Sequence, residues 1–437
     1  MKRLLSNMYD FYDFRKNAVY ALTIYLITSF IYSDFGISSA IGLLIFLLYM
    51  ILEIIQFFSI DNESIKNLFK NKCWYPLFVI IVAIYISSLN NFVWDLSKIY
   101  YLVVSFISII ISLFAKKITE EIFLNISKIF ICFGVFVASL IYLFNFFPKI
   151  YMDFVFPILT KSSQDYILLT TSQGYSVSIS AEISYTILMI IFSFLFLLFS
   201  KNKIFSKSFF KLAFLVYFYF AIFLSQRRTE LIFGTMVFLI GMFIIYYSQL
   251  KTIICQNKKL IFCILVIIFI SILFFLLYLY LLPKDYQSTS RLVQTFLDFK
   301  NGKDFSNGRF SLYHLAITIF KDTPLFGVGW MNFSNFAYLT GNIHARNVHC
   351  IYLQLFVENG VILGTLILGG FITYIVQIFK KLKNNSRIMI SFCIQLYCLL
   401  SGLIENTIFY PCFWLFYMMS LLFVFYNKEE SVVVKNG

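Results

Sequence analysis

Three arginines and one histidine offer most of the chemistry in this sequence. Arg227 and Arg228 stand side by side in Gln226-Arg227-Arg228-Thr229, between two apolar runs. A guanidinium presents a planar fork of N–H donors that matches phosphate oxygens two at a time. The pair therefore reads as a clamp for phosphate or diphosphate, against the plainer reading of an interfacial anchor that snorkels. Arg309 follows Ser306-Asn307-Gly308, a stretch able to cap a helix running to about Lys321. A helix dipole disfavours a cation at that end, and a bound anion resolves the conflict. His349 stands just before another apolar run, with Gln354 and Glu358-Asn359-Gly360 following. A neutral imidazole at such an interface can take a proton from a hydroxyl.

Other polar residues carry less. His314 reads as a surface or packed histidine. The turn Pro324-Leu325-Phe326-Gly327-Val328-Gly329 allows close backbone approach but lacks the Gly-Lys-Ser/Thr of a P-loop. No Cys/His spacing or paired acidic cluster suits a metal, so the expected site needs neither metal nor cofactor. Charges inside or at the ends of apolar runs merit a functional hypothesis by default. Asp95 and Lys98, three apart, are expected to pair, and Lys128 to snorkel. Glu182 and Glu405, at span ends, are expected to line a sugar-binding cavity, with Arg291 and Arg346 as further substrate contacts.

These residues need a scaffold, and composition says which kind. The 437-residue chain is 60% hydrophobic and only 13% charged, with mean hydropathy +0.84. A soluble domain is about a quarter charged, so this reads as an all-α polytopic membrane protein forming one integral domain. The eight cysteines show no CxxC pair; Cys132, Cys263 and Cys393 lie in apolar runs and read as small hydrophobes. The basic N-terminus lacks a short apolar region and cleavage site, so no cleaved signal peptide is expected.

Apolar runs near the ~20 residues a bilayer requires fall at 17–33, 37–58, 75–90, 93–115, 122–147, 182–200, 209–225, 229–248, 260–282, 359–380, 387–404 and 408–426. Lysines and arginines crowd alternate loops: 59–74, 115–121, 201–211, 249–259 and 380–387, together with both termini. By the positive-inside rule both termini are cytoplasmic. The same rule accounts for the net charge of +14 without nucleic acid. Residues 283–358 then form a large outer loop, and 309–321 an amphipathic helix lying on the outer surface. Arg227-Arg228 falls on the side where the pattern predicts few cations.

The run Arg309-x-Ser-Leu-Tyr-x-x-Ala-x-x-x-Phe-Lys-Asp-x-Pro-Leu-Phe-Gly-x-Gly, then His349-x-x-Tyr-Leu-Gln-x-x-x-Glu-x-Gly360, resembles the O-antigen ligase/polymerase superfamily. Arg228 resembles the arginine of that family's motif between two spans. The resemblance implies a bacterial inner-membrane glycosyltransferase of about twelve spans, with its active site facing outward. It implies transfer of a glycan from an undecaprenyl-diphosphate carrier, with Arg228 and Arg309, assisted by Arg227, on the diphosphate and His349 as base. Chain-length regulators and flippases are the partners it implies. Ligases of the family resemble His-[Asn/Ser/Gln]-x9-Gly-x-x-Gly. Here Cys350 follows His349, and the second glycine falls on Leu363 with Gly364 one late. A polymerase of O-antigen or capsular repeat units is therefore expected ahead of a ligase. A flippase is a further alternative, but such transporters show two similar halves, and none is apparent here. A non-enzymatic scaffold has no need of the histidine and arginines.

Overall fold

The structure is a computed structural model. It describes residues 75–91, 120–172, 185–199, 208–225, 227–256, 291–304, 306, 308–341, 347–382, 385–406, 409 and 411–424, with isolated positions among 20–51, 94–102 and 273–281. Among these, secondary structure is helical throughout. The twelve helices used below are α1 (Tyr75–Ser88), α2 (Glu120–Phe146), α3 (Lys161–Ser172), α4 (Tyr185–Phe199), α5 (Ser208–Leu224), α6 (Arg228–Gln256), α7 (Arg291–Lys300), α8 (Arg309–Asp322), α9 (Phe333–Leu339), α10 (Ile351–Lys380), α11 (Ser386–Ser401) and α12 (Pro411–Leu422). Helix is the form in which a chain this rich in phenylalanine and isoleucine satisfies its own backbone without water.

α2 and α10, at 27 and 30 residues, are long and apolar enough to cross a membrane, reaching about 40 Å at 1.5 Å per residue. α1, α4, α5 and α11 are shorter apolar helices. The expected spans 17–33, 37–58, 93–115 and 260–282, and Glu53, lie almost wholly outside the described residues. Two boundaries move. The helix expected at 229–248 runs on to Gln256. The helix expected from 359 starts at Ile351, so residues 351–358 belong to a helix instead of a loop. Gln354, Glu358 and Asn359 made this stretch look too polar, but each is buried and hydrogen-bonded.

α4 packs against α2 and α5, α6 against α11, and α10 against α1. Stacked rings fill the seams: Phe130 with Phe196 at 5.1 Å, and Phe192 with Phe416 at 3.8 Å. Gly370 lets α10 approach α1 so closely that a Cβ there would lie 2.5 Å from Ile80. Buried Cys393 fits the small-hydrophobe reading, whereas Cys132 is exposed on α2. Lys128 is half-buried and donates to Asn125 Oδ1 at 3.3 Å. Arg387, expected as a loop cation, is 3% exposed, paired with Glu120 and set over the Phe123 ring.

A second, smaller core lies beside this bundle. Ala316 and Ile319 of α8, Val328, Phe333 and Ala337 of α9, Val348 and Val357 pack together. α8 is therefore not merely laid on a surface: its inner face is buried against α10.

The small core is fastened to α10 by a break in that helix. Gly360 has φ 65° and ψ −175°, a conformation essentially reserved for glycine. Val361 N donates to Pro324 O at 2.8 Å and Ile362 N to Leu325 O at 3.3 Å. In an unbroken helix those two amides would bond Val357 O and Glu358 O. Those carbonyls instead accept from Val328 N at 3.0 Å and Gly329 N at 2.8 Å. These four groups are thus taken up by the turn 324–329, as a low-dielectric setting requires. A Cβ on Gly327 would lie 2.4 Å from the Glu358 carbonyl carbon, and one on Gly360 would lie 2.2 Å from Leu325 O. The two glycines fit each other.

Candidate functional site

A cavity of about 600 Å³ opens where the start of α6, the middle of α7, the start of α8 and the segment after α11 meet. Arg227 lines it just before α6, Arg228, Thr229 and Glu230 from α6, Thr295, Phe296 and Phe299 from α7, Arg309, Phe310 and Tyr313 from α8, and Ile404 and Glu405 from the far side. The first turns of two helices, α6 and α8, both face it. Helix N-termini carry free N–H groups and a partial positive charge, so the backbone adds to the three guanidiniums in favouring an anion.

The local sequence explains how each arginine reaches the cavity. Just after α5 comes Ser225, whose hydroxyl accepts from Arg227 N at 3.3 Å as the chain turns into α6. Arg228 Nη1 donates to Thr295 Oγ1, which ties α6 to α7. Before α8, Asp304 gathers Ser306 N at 2.8 Å, Ser306 Oγ and Gly308 N at 2.6 Å on its carboxylate. The Ser306 hydroxyl first, then the Gly308 and Ser306 amides, hold this exposed carboxyl below the usual range. Gly308, at φ 80°, is the cap residue, and Ser306 Oγ accepts from Phe310 N at 3.3 Å. The expected capping stretch is thus used, with the left-handed glycine as the turning point and Asp304 as its organiser.

Arg309 is the hub. Its Nη1 donates to Ile404 O at 2.8 Å, and its Nη2 meets Glu405 Oε1 at 3.4 Å. Both side chains are 25% exposed, so the pair is held in place yet open to the cavity. Thr229 Oγ1 also reaches Glu405 Oε1, at 3.4 Å, which brings the first turn of α6 to the same carboxylate.

His349 does not line the cavity but lies behind its wall. Tyr313, which does line it, donates from its hydroxyl to the His349 carbonyl at 3.3 Å. The half-buried imidazole is held below its usual pKa, mainly by burial and then by the Arg309 charge, with Glu405 acting in the opposite sense. A histidine kept neutral near pH 7 is a competent proton acceptor. Burial similarly pushes the Tyr313 hydroxyl up, so it remains a donor. His349 has a positive φ of 56°, and such strain in a non-glycine residue persists only where the surroundings fix it.

The structure therefore brings together Arg227, Arg228, Arg309 and Glu405, with His349 alongside. Arg291 opens α7; Glu182 and Arg346 lie outside the described residues. His314 is exposed. Asp95, expected to pair with Lys98, lies outside the described residues. Lys98 is buried and donates to Asn332 Oδ1 at 3.0 Å. Sequence reasoning passed over Thr229, Glu230, Thr295 and Tyr313. Tyr313, four residues after Arg309, is legible as a residue on the same helix face. Thr295 lies 67 positions from Arg228, and no spacing rule links them.

Residues 212–368 match a protein-family model described as O-Antigen ligase. A search of curated proteins returns no match. The matched residues run from α5 into α10 and include the arginine pair, Arg309 and His349; Glu405 lies beyond them. The stretch 212–368 is thus similar to the O-antigen ligase family, and it carries the three arginines that line the cavity and the histidine behind its wall.

Proposed function

We propose that this protein is a polysaccharide polymerase. It joins undecaprenyl-diphosphate-linked oligosaccharide repeat units into O-antigen or capsular polysaccharide at the outer face of the bacterial cytoplasmic membrane. The observation that carries this reading is the convergence of Arg227, Arg228 and Arg309 on one cavity with His349 beside it. Alternating basic loops support twelve spans with both termini cytoplasmic. Cys350 after His349 and the displaced glycine at Gly364 favour the polymerase over the ligase. A flippase to deliver the donor and a chain-length regulator are the partners this reading requires.

In this mechanism the guanidiniums of Arg228 and Arg309 hold the diphosphate of the growing chain, and Arg227 adds charge. His349 takes the proton from an acceptor hydroxyl on the incoming repeat unit. The hydroxyl oxygen forms its bond to the anomeric carbon while the bond from that carbon to the phosphate oxygen breaks. The electron pair leaves with the polyprenyl diphosphate, where fixed cations stabilise the charge that develops. The proton on His349 then passes to solvent or to the departing diphosphate.

The test is a polysaccharide gel of the host with the gene deleted and restored. Loss of long chains with single repeat units retained supports the polymerase. Full-length chains that persist on the carrier but never reach their final acceptor identify a ligase, as the matched family's description would have it. Unchanged chains with the donor trapped inside identify a transporter.

A further inference from the structure

One buried side chain ties the neighbour of His349 to the neighbour of Glu405. Gln354, on the first turn of α10, is 2% exposed. Its side-chain oxygen accepts from Val348 N at 3.2 Å and from Asn406 Nδ2 at 2.6 Å. Its side-chain nitrogen donates to Glu358 Oε1 at 2.9 Å. Glu358, fully buried one turn further on, accepts from Met331 N at 2.7 Å and Phe333 N at 3.3 Å. The amide oxygen thus joins two segments distant in sequence, and through Glu358 the amide nitrogen is anchored to the start of α9. Val348 precedes the strained His349, and Asn406 follows the carboxylate that pairs with Arg309.

We infer that Gln354 is a positioning residue for glycosyl transfer, holding the His349 backbone and the Arg309–Glu405 pair in one fixed frame. The inference rests on the functional reading above, in which His349 is the base. The other contacts of this region agree with the role. Ile351 N donates to Gly402 O at 2.8 Å, and Tyr352 Oη to Leu399 O at 2.6 Å, so α10 and the end of α11 are already sutured in parallel with Gln354. Removing the amide therefore loosens the position of His349 without undoing the fold. Glu358 sits at the other end of the strut, where the turn 324–329 meets the helix break, and links the site to the small core. A displacement of about 1 Å at a reacting group can cost about a hundredfold in rate, so a modest slackening here is readable.

The experiment uses full-length protein in lipid nanodiscs and lipid-linked repeat units extracted from a host lacking the gene. Gln354→Met keeps the length of the side chain and removes all three bonds. The expected result is a fall of about tenfold to a hundredfold in kcat, with the donor KM little changed. A second readout needs no turnover: the titration midpoint of His349, followed by NMR of labelled histidine in a His314→Gln, His344→Gln background. With the strut gone the imidazole gains water, and its midpoint should rise toward the ordinary histidine value. Unchanged kcat and an unchanged midpoint overturn the inference. So does a fall in kcat and thermal stability with a raised KM and the midpoint fixed, because that pattern marks a purely structural residue. Where Gln354→Met fails to accumulate, Asn406→Ala removes one arm of the same strut and is judged by the same two readouts. A wild-type protein with no transfer sinks the functional reading; the midpoint in Gln354→Met still decides the strut.

Discussion

At the scale of single residues, the site is a balance of charges around His349. Arg309 disfavours the imidazolium and Glu405 favours it, with burial the larger influence. The neutral base therefore survives to lower pH than an ordinary histidine would allow. The acid limb of kcat/KM, which reports the free enzyme, should fall below about 6.5. Glu405→Gln removes the one influence that raises the pKa, so it should push that limb lower still. A limb that moves upward in that variant would show that Glu405 does not act on His349. The same sign applies to stability: between the folded and unfolded pKa values the unfolded chain binds more protons, so this histidine's share is lost as pH falls through that window. Arg309 bears on binding. Arg309→Lys keeps the charge but loses the planar fork, and one charged hydrogen bond is worth about 1.5–3 kcal/mol. Donor use should drop roughly tenfold or more by that measure; kinetics equal to wild type would remove Arg309 from the clamp. His349→Ala should abolish transfer while the protein still accumulates in the membrane.

At the scale of elements, the break in α10 decides where the site sits. Gly360 bends the helix and frees backbone groups that the turn 324–329 takes up, which docks α8 and α9 against α10. The glycines around this site are not equivalent. Gly360→Ala must bear both a glycine-only conformation, costing about 1–3 kcal/mol, and a collision with Leu325 O. Gly308→Ala meets nothing within 4 Å and bears only the left-handed cost of about 1–2 kcal/mol. Thermal unfolding in detergent should rank Gly360→Ala well below Gly308→Ala. Equal losses would mean that the turn does not grip the break as described.

At the scale of the whole molecule, two cores of different character meet. The larger is a stack of aromatic-rich helices with a broadly apolar surface; Phe209, Phe220 and Phe243 are more than 40% exposed, as suits lipid. The smaller, around Ala316, Val328 and Phe333, carries the polar machinery. The proposed topology places the two ends of this arrangement on opposite sides of the membrane. Lys303→Cys should react with an impermeant maleimide added outside intact cells, and Lys381→Cys only after permeabilisation; both positions are exposed. Labelling of both from the same side would overturn the alternation of basic loops.

The sequence by itself determined that the chain is helical and apolar, which residues are chemically able to bind phosphate, and which histidine could act as base. Those are local properties: the period and length of apolar runs, the guanidinium fork, the isolation of a polar stretch among hydrophobes. It also located the glycines of the turn 324–329 and Gly360, without showing that they answer one another. Only the tertiary structure decided that Arg228 reaches Thr295, that Glu405 shares its carboxylate between Arg309 and Thr229, and that Lys98 goes to Asn332. Each joins positions 67 to 234 residues apart, where no periodicity carries information. The start of α10 at Ile351 escaped for a related reason. Gln354 and Glu358 look too polar for a packed helix until their partners, brought in by distant segments, are seen to satisfy them.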